Sequence, residues 1–519
     1  MEENPLKTAQ ARGWKVIQTR WIDIYKGDDE NPVYRNRLVG KEFNTGEVQG
    51  SFAGTLPLEA LRCIVHKAAT IRQGEDTHSK VVMVNDVSRA FFEAPAMRQV
   101  CVELPAEDTT ALDRQMDHVG HLQMSFYGTR DAAMNWQEEV AKEMTKWGFK
   151  RGQYNPCLYW HEGLKLNVMV HGNDFVTVGT RESATVFRKK LESRFEIKTQ
   201  VIGNSDSPSD LMGEVGKGPS EVREGGVLNR VIRWTKDGWE IKPDQRHADI
   251  IIHDLMLGEA RAVTSPGEPE ARSEEEKNAA PLSAEEASRD WALAARANYL
   301  ASDRVDIMYA VKEIYRSMSS PTVGSWKKLK RLGRYHQGQP RTSTKYAWQG
   351  DDEQVVGYSD SDWAGCRVTG KSTSGGVVMV GSHFIKGWAR TQYHVTLSSA
   401  EAELIALVKC TQECMGVQAM LRDWGRETTA TLYADSSAAL ATAKRKGAGK
   451  LRHINVSALW IQDVQDGEGA EYTKILGTDN PADLMTKYLA RDNIDRHMSM
   501  IGQGLKEGRA EKGLEMQRT

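Results

Sequence analysis

Two valine-rich runs that each carry an aspartate where an apolar stretch ends constrain this chain most: VVMVNDV (81–87) and LNVMVHGNDFVTVG (166–179). β-Branched residues favour a pleated strand, and Gly-Asn-Asp inside the second run predicts a tight hairpin. Around them lie stretches of helical periodicity, LEALRCIVHKAATIR (58–72) and WQEEVAKEMTKWGF (136–149), so the region before residue 200 reads as mixed α/β. With 519 residues, 39% of them apolar, there is core for roughly three or four domains, and fibrous, collagenous and wholly disordered classes are excluded. No stretch approaches the roughly 18 unbroken apolar residues of a membrane helix. The opening MEENPLKTAQARGWKVIQTR has no apolar run of signal length, so the chain is expected to be intracellular, with no membrane partner. Six cysteines without a CxxC pair read as reduced thiols. A net charge of −2 means that any contact with nucleic acid must come from local basic grooves.

From Thr264 to Asp290 the sequence gathers Pro, Glu, Ser and Ala with almost no large apolar residue, which predicts a solvated connector and a domain boundary. Helical periodicity returns in WALAARANYLA and VDIMYAVKEIYRSM, and a basic run follows in WKKLKRLGRYHQGQPR (326–341). A second α/β unit opens at EQVVGYSD (353–360). It continues through strand-like VVMVG (377–381), a helix over 398–424 and strand-like ATLYA (430–434). The last 30 residues, from Ala490, are charged and predict a loosely ordered tail.

Four acids of this second unit lie where elements end: Asp360 after GYS, Glu403 in the helix, Asp435 after TLYA, and Asp483 in DNPADLMTK. Functional groups of α/β sheets collect at the carboxyl ends of strands. Ser398 and Glu401 match a capping box that would fix the register of the helix carrying Glu403. Carboxylates sharing a cleft repel one another unless cations neutralise them, and hard oxygen ligands select Mg²⁺ or Mn²⁺. Such a site suits two-metal phosphodiester chemistry. The alternative is four solvated surface acids among 71.

The blocks YSDSDWAGCRVTGKSTSGGVVMVG (358–381), TLSSAEAELIAL (396–407), LYADSSAAL (432–440), LRHINV (451–456) and NPADLMTK (480–487) resemble the ribonuclease H region of copia-type retrotransposon Pol polyproteins. The resemblance implies a ribonuclease H-like mixed-sheet domain in which Asp360, Glu403, Asp435 and Asp483 hold two divalent cations and the RNA strand of an RNA–DNA hybrid is cut. Asp362 is the rival of Asp360 as first ligand, and Asp360 is preferred because it follows the strand directly. His453 matches a histidine of the family pattern; its other reading is a structural contact.

RNRLVGKEF (35–43), VNDVSRAFFEAP (84–95), MSFYGTRDAAMNWQ (124–137) and VHGNDFVTVG (170–179) resemble the reverse transcriptase blocks of the same family, and NYLASDRVDIMYAV (298–311) its joining segment. The implied fold class is α/β and α+β multidomain: right-hand polymerase fingers and palm over 1–205, a thumb-like region over 206–263, an acidic linker and helical connection over 264–350, the ribonuclease H-like domain over 351–489, and a flexible tail over 490–519. The implied partners are an RNA template, a DNA primer and deoxynucleotide triphosphates, with two Mg²⁺ or Mn²⁺ ions at Asp86 and Asp174. Phe91 matches the aromatic gate against a 2′-hydroxyl, or is a plain core aromatic. Arg37 and Lys41 match basic fingers positions that would neutralise triphosphate, and Gly128 falls in the block lining the nucleotide pocket.

One position departs from the family pattern. Where two aspartates are expected at the hairpin tip, the chain reads His171-Gly172-Asn173-Asp174. An amide is a weaker Mg²⁺ ligand than a carboxylate, so polymerase activity is expected to be weak or absent while the ribonuclease set is intact. The alternative is a catalytically inactive nucleic-acid-binding transposon relic. Two basic runs, Lys327, Lys328, Lys330, Arg331 and Arg334, and Lys444, Arg445, Lys446, Lys450 and Arg452, are either backbone contacts or solvated faces. The resemblance places such a protein in a cytoplasmic particle or the nucleus.

Overall fold

The computed structural model describes residues 2–25, 34–43, 53–72, 74–77, 79–205, 221–269, 279–351, 354–449, 453–454, 456–467, 469–508 and 513. It is a mixed α/β multidomain structure of two compact units: one of residues 1–57, 84–177 and 182–199, the other of 58–83, 178–181 and 200–519.

The strand Lys80–Val87 lies beside Asp174–Thr180, followed outward by Leu166–His171, Leu158–His161 and Lys150–Arg151, with Ile197–Ile202 on its other side. Consecutive residues of the Val-rich runs are buried, Val81, Val82 and Met83 in one and Val168, Met169 and Val170 in the other, as a sheet covered on both faces requires. Leu166–His171 turns into Asp174–Thr180 through Gly172-Asn173, and Gly172 takes φ +61°, which the first position of a tight hairpin turn needs. The helix Ala132–Lys146 buries Trp136, Val140 and Met144 at intervals of four, and the Trp136 indole N–H donates to the Gly172 carbonyl at 2.7 Å. Packing and one hydrogen bond thus hold the hairpin tip that carries Asn173. A second, four-stranded sheet and the hairpin Thr19–Tyr25 with Tyr34–Gly40 complete the first unit.

The second unit contains a five-stranded mixed sheet in the order His383–Thr391, Thr373–Val380, Val355–Asp362, Ala430–Ala434, Glu471–Lys474. The first three strands are antiparallel and the last two run parallel to Val355–Asp362, which is the strand order of the ribonuclease H fold. Every residue of Thr373–Val380 is buried. The helix Ser399–Asp423 covers this sheet, and close approach is bought by glycine: a Cβ on Gly357 would lie 2.7 Å from both the Cys410 and Cys414 sulfurs. Gly375 does the same for the short turn Pro481–Met485, since a Cβ there would lie 2.7 Å from Thr486 Cγ2 and 2.8 Å from Met485 Cβ. A five-stranded antiparallel sheet and the helices Ala284–Ala301, Val305–Tyr315 and Val323–Gly338 complete the core.

Three expectations need correction. The stretch from Thr264 to Asp290 separates no compact units: Val305, Ile307 and Met308 share one core with Val377, Met379 and Phe384, so the expected thumb, connection and ribonuclease regions pack together. Among its described residues Pro266, Gly267, Ala287 and Asp290 are buried and 284–290 open the helix Ala284–Ala301, so a composition poor in large apolar residues does not mark a boundary here. Residues 206–220 of the expected thumb and 270–278 of the linker lie outside the described residues. The expected tail forms the helix Arg491–Met500 and the strand Gln503–Lys506, which pairs antiparallel with Arg341–Thr344. Its sparse apolar residues, Ile494, Met498 and Ile501, recur at helical spacing and are buried, so placement outweighed number. The capping box is half formed: Ser398 accepts from the Glu401 N–H, while the Glu401 carboxylate accepts from the Leu397 N–H at 2.9 Å.

Candidate active sites

Asp360 sits near the end of Val355–Asp362, and Asp435 follows directly on the parallel neighbouring strand. Parallel neighbours end on the same edge, which is why two acids 75 positions apart in sequence arrive together. The first turns of Ser399–Asp423 bring Glu403 to the same edge, and Asp360, Glu403 and Asp435 each present an oxygen within 4.8 Å of the others. Asp483, on Pro481–Met485, lies beside Asp360 but is not one of this 4.8 Å group. Its carboxyl is pushed up to about 6, by burial first and then by the charge of Asp360.

Glu403 carries the strongest mark of crowding. Burial, followed by the charges of Asp360 and Asp435, lifts its pKa to about 9, and burial and Asp360 also raise Asp435. The Ser361 N–H donates to Glu403 Oε1 at 3.2 Å, whereas Oε2 is buried with no hydrogen-bond partner among the described residues. A buried anionic oxygen without a donor is costly unless a cation supplies the missing charge. The Thr486 hydroxyl donates to Asp360. The Lys487 ammonium lies 2.8 Å from Asp483 and 3.9 Å from Asp360. Burial opposes its charge, but the carboxylates of Asp360, Asp483 and Asp435 outweigh that and leave its pKa raised. Thr486 and Lys487 were unassigned from sequence; the signal for Lys487 was its position four residues after Asp483 in a turn.

Asp362, the rival first ligand, is engaged elsewhere. It accepts from the Thr373 N–H and, at 3.4 Å, from the Tyr309 hydroxyl, and burial lifts its pKa to about 6. The structure does not bring His453 into the acid cluster: its Nε2 pairs with Glu401 at 3.1 Å. Lys450 and Arg452 of the second basic run, with Leu451 and Asn455 of the LRHINV block, lie outside the described residues.

In the first unit, Asp86, Phe91, Arg37 and Asn173 line one cavity of about 580 Å³. The Asn173 amide donates to Asp86 and, at 3.3 Å, to the Val87 carbonyl. Asp174 follows at the start of its strand, and burial and then the Asp86 charge push its pKa up to about 6. The Phe91 ring packs 4.7 Å from Tyr127, over which the Arg37 guanidinium sits at 5.2 Å. Tyr127, Arg35, Arg89 and Lys198 also line the cavity and were not singled out from sequence. Lys41 and Gly128 are not among its lining residues. Gly128 takes φ +87°, and a Cβ there would lie 2.1 Å from the Gly40 carbonyl oxygen, so its missing side chain serves the approach of two chain segments.

Residues 8–204 match the family model for "Reverse transcriptase (RNA-dependent DNA polymerase)". The retrovirus-related Pol polyprotein from transposon TNT 1-94 of Nicotiana tabacum is 23% identical over 95% of this chain and 36% of its own length. That from transposon RE2 of Arabidopsis thaliana is 24% identical over 94% of this chain and 32% of its own length. Over most of its length the chain is similar to the Pol polyproteins of copia-type retrotransposons, and residues 8–204 carry the reverse transcriptase match. It spans about a third of the length of these two relatives. Among solved structures, the foamy viral protease-reverse transcriptase in complex with dsDNA covers 91% of this chain and 79% of its own at 9% identity, with a TM-score of 0.21, too low to carry anything across. Among the described residues, no helix is long and apolar enough to cross a membrane.

Proposed function

We propose that this chain is a retrotransposon-derived reverse transcriptase and ribonuclease H in which the ribonuclease centre is intact and the polymerase centre is weakened. The observation that carries the reading is the convergence of Asp360, Glu403 and Asp435 within 4.8 Å, with a buried Glu403 oxygen left without a donor. An all-oxygen, anionic donor set fits Mg²⁺ or Mn²⁺. Asp360, Glu403, Asp435 and Asp483 would hold two such ions, which when bound supply Lewis-acid activation of water and charge stabilisation at the leaving oxygen. Thr486 and the Ser361 N–H fix the orientation of Asp360 and Glu403. Lys487 balances part of the negative charge from the Asp483 side. The substrate would be the RNA strand of an RNA–DNA hybrid, recognised through backbone shape and 2′-hydroxyls. His453, through Glu401, steadies the start of the helix that bears Glu403.

At the other centre, Asp86 and Asp174 would hold the ions that serve a primer hydroxyl and an incoming deoxynucleotide triphosphate on an RNA template. Arg37 would face the triphosphate and Phe91 the sugar. Asn173 weakens this centre twice: it lacks a charge, and its amide occupies a lone pair of Asp86. The loss is on the order of a hundredfold or more in rate. The same contact favours a second reading, a catalytically silent nucleic-acid-binding relic. Mg²⁺-dependent cleavage of a labelled RNA–DNA hybrid separates the two. Cleavage that disappears in Asp435→Asn supports the enzyme, and no cleavage by the unaltered chain supports the relic.

A further inference from the structure

The basic run Lys327–Arg334 plays no part in either centre. Val323–Gly338 turns Leu329, Leu332 and Tyr335 into the core, which leaves Lys327, Lys330, Arg331 and Arg334 on the opposite flank. That flank does not simply face solvent. Together with Pro266–Pro269 it walls a cavity of about 1100 Å³ whose floor includes Leu257, Ala310 and Ile314. Lys327, Arg331 and Arg334 recur at intervals of four and three, so three cations lie along about 10 Å of helix, a linear array matched to a linear polyanion. Part of this charge is already balanced, since Arg331 pairs with Glu268 at 2.9 Å; Lys327 and Lys330 are exposed.

A second observation ties the cavity to the acid cluster. Tyr488 lines it, and the preceding residue is Lys487, which contacts Asp483 and Asp360. Cations on one wall, apolar and aromatic surface on the floor, and a phosphodiester-cutting cluster one residue away suit a strand whose phosphates lie on the helix and whose bases meet the floor. We propose that this cavity binds a single nucleic-acid strand, the unpaired extension of the hybrid that leaves the ribonuclease centre. The proposal rests on the ribonuclease reading for its direction but has its own test.

The probe is a 5′-fluorescein, 15-nucleotide DNA carrying 5-iododeoxyuridine, bound to the full chain and followed by anisotropy, with ultraviolet crosslinking and peptide mapping. Crosslinks are expected on Tyr488 or on the peptide spanning 323–334. The triple variant Lys327→Gln, Lys330→Gln, Arg331→Gln should bind at least about tenfold more weakly and show a salt slope smaller by about two. The matched triple Lys444→Gln, Arg445→Gln, Lys446→Gln should bind as the parent does. Crosslinks confined to other segments, or equal affinity in the first triple, overturn the proposal. So does full displacement by poly-glutamate at equal charge concentration, which would mark an acidic-peptide site. Hybrid cleavage that persists with unchanged strand binding in the triple sinks this inference alone. Absence of cleavage sinks the ribonuclease reading and leaves the crosslinks to decide this one.

Discussion

On the proposed reading, the two acid clusters of this chain share one chemistry and differ in the completeness of their carboxylates. At Asp360, Glu403, Asp435 and Asp483 the carboxylates are crowded enough to hold Glu403 near a pKa of 9, with Lys487 beside Asp483 and Asp360 and the charge of Lys474 also felt at Asp435. At Asp86 and Asp174 one would-be carboxylate is Asn173, and its amide satisfies Asp86 with a hydrogen bond. In the first cluster burial and mutual repulsion penalise the charged form of Glu403, a penalty that added positive charge would relieve. At the second, the Asn173 amide meets part of the Asp86 charge while burial and Asp86 still push Asp174 up to about 6, so the site offers a cation one carboxylate fewer.

The largest expected effect breaks the contrast outright. Asn173→Asp restores an anion and removes the donor to Asp86, so primer extension on an RNA template should rise on the order of a hundredfold, with hybrid cleavage unchanged. Equal extension by parent and variant would show that the amide is not the defect. Asp435→Asn should copy the damage into the intact centre, lowering hybrid cleavage by a comparable factor while sparing any extension.

Smaller effects sharpen the comparison. Lys487→Met removes the internal counter-ion of the ribonuclease cluster, so the metal-free protein should lose about 1–3 kcal/mol and regain it with added Mg²⁺. Thermal unfolding with and without Mg²⁺ reads this, and an equal loss in both conditions would make Lys487 a packing residue only. Asp290 supplies the case of a lone acid: it is fully buried, neither oxygen has a hydrogen-bond partner among the described residues, and burial pushes it up to about 6. The fold penalises its charged form, so the stability of the protonated carboxyl is complete below the unfolded pKa near 3.8 and is lost as pH rises through about 6. Asp290→Asn should therefore be more stable than the parent by about 1–3 kcal/mol at pH 7, with the gap closing toward pH 4. A gap independent of pH in denaturant titrations would contradict this.

Much of this was legible in the sequence because it is local. Valine-rich runs, helical periodicity and the Gly-Asn turn depend on neighbours a few residues away, and the strands, helices and hairpin fall where those patterns lie. Chain order also fixed which acids end strands. What was not legible depends on partners distant in sequence. Nothing near Thr264 announces that the helices after it share a core with Val377 and Phe384. The role of Gly375 shows only once Pro481–Met485 is seated on it. Lys487 reads as one more surface lysine until Asp360, more than 120 residues earlier, arrives beside it. The terminal segment was misjudged because its charge count hides three apolar residues at helical spacing.

Hybrid cleavage and RNA-templated primer extension, measured on one preparation of the unaltered chain in Mg²⁺, bear most directly on the contrast between the two centres. The account predicts cleavage well above background beside extension that is barely detectable. Robust extension, or cleavage that survives in Asp435→Asn, would contradict it.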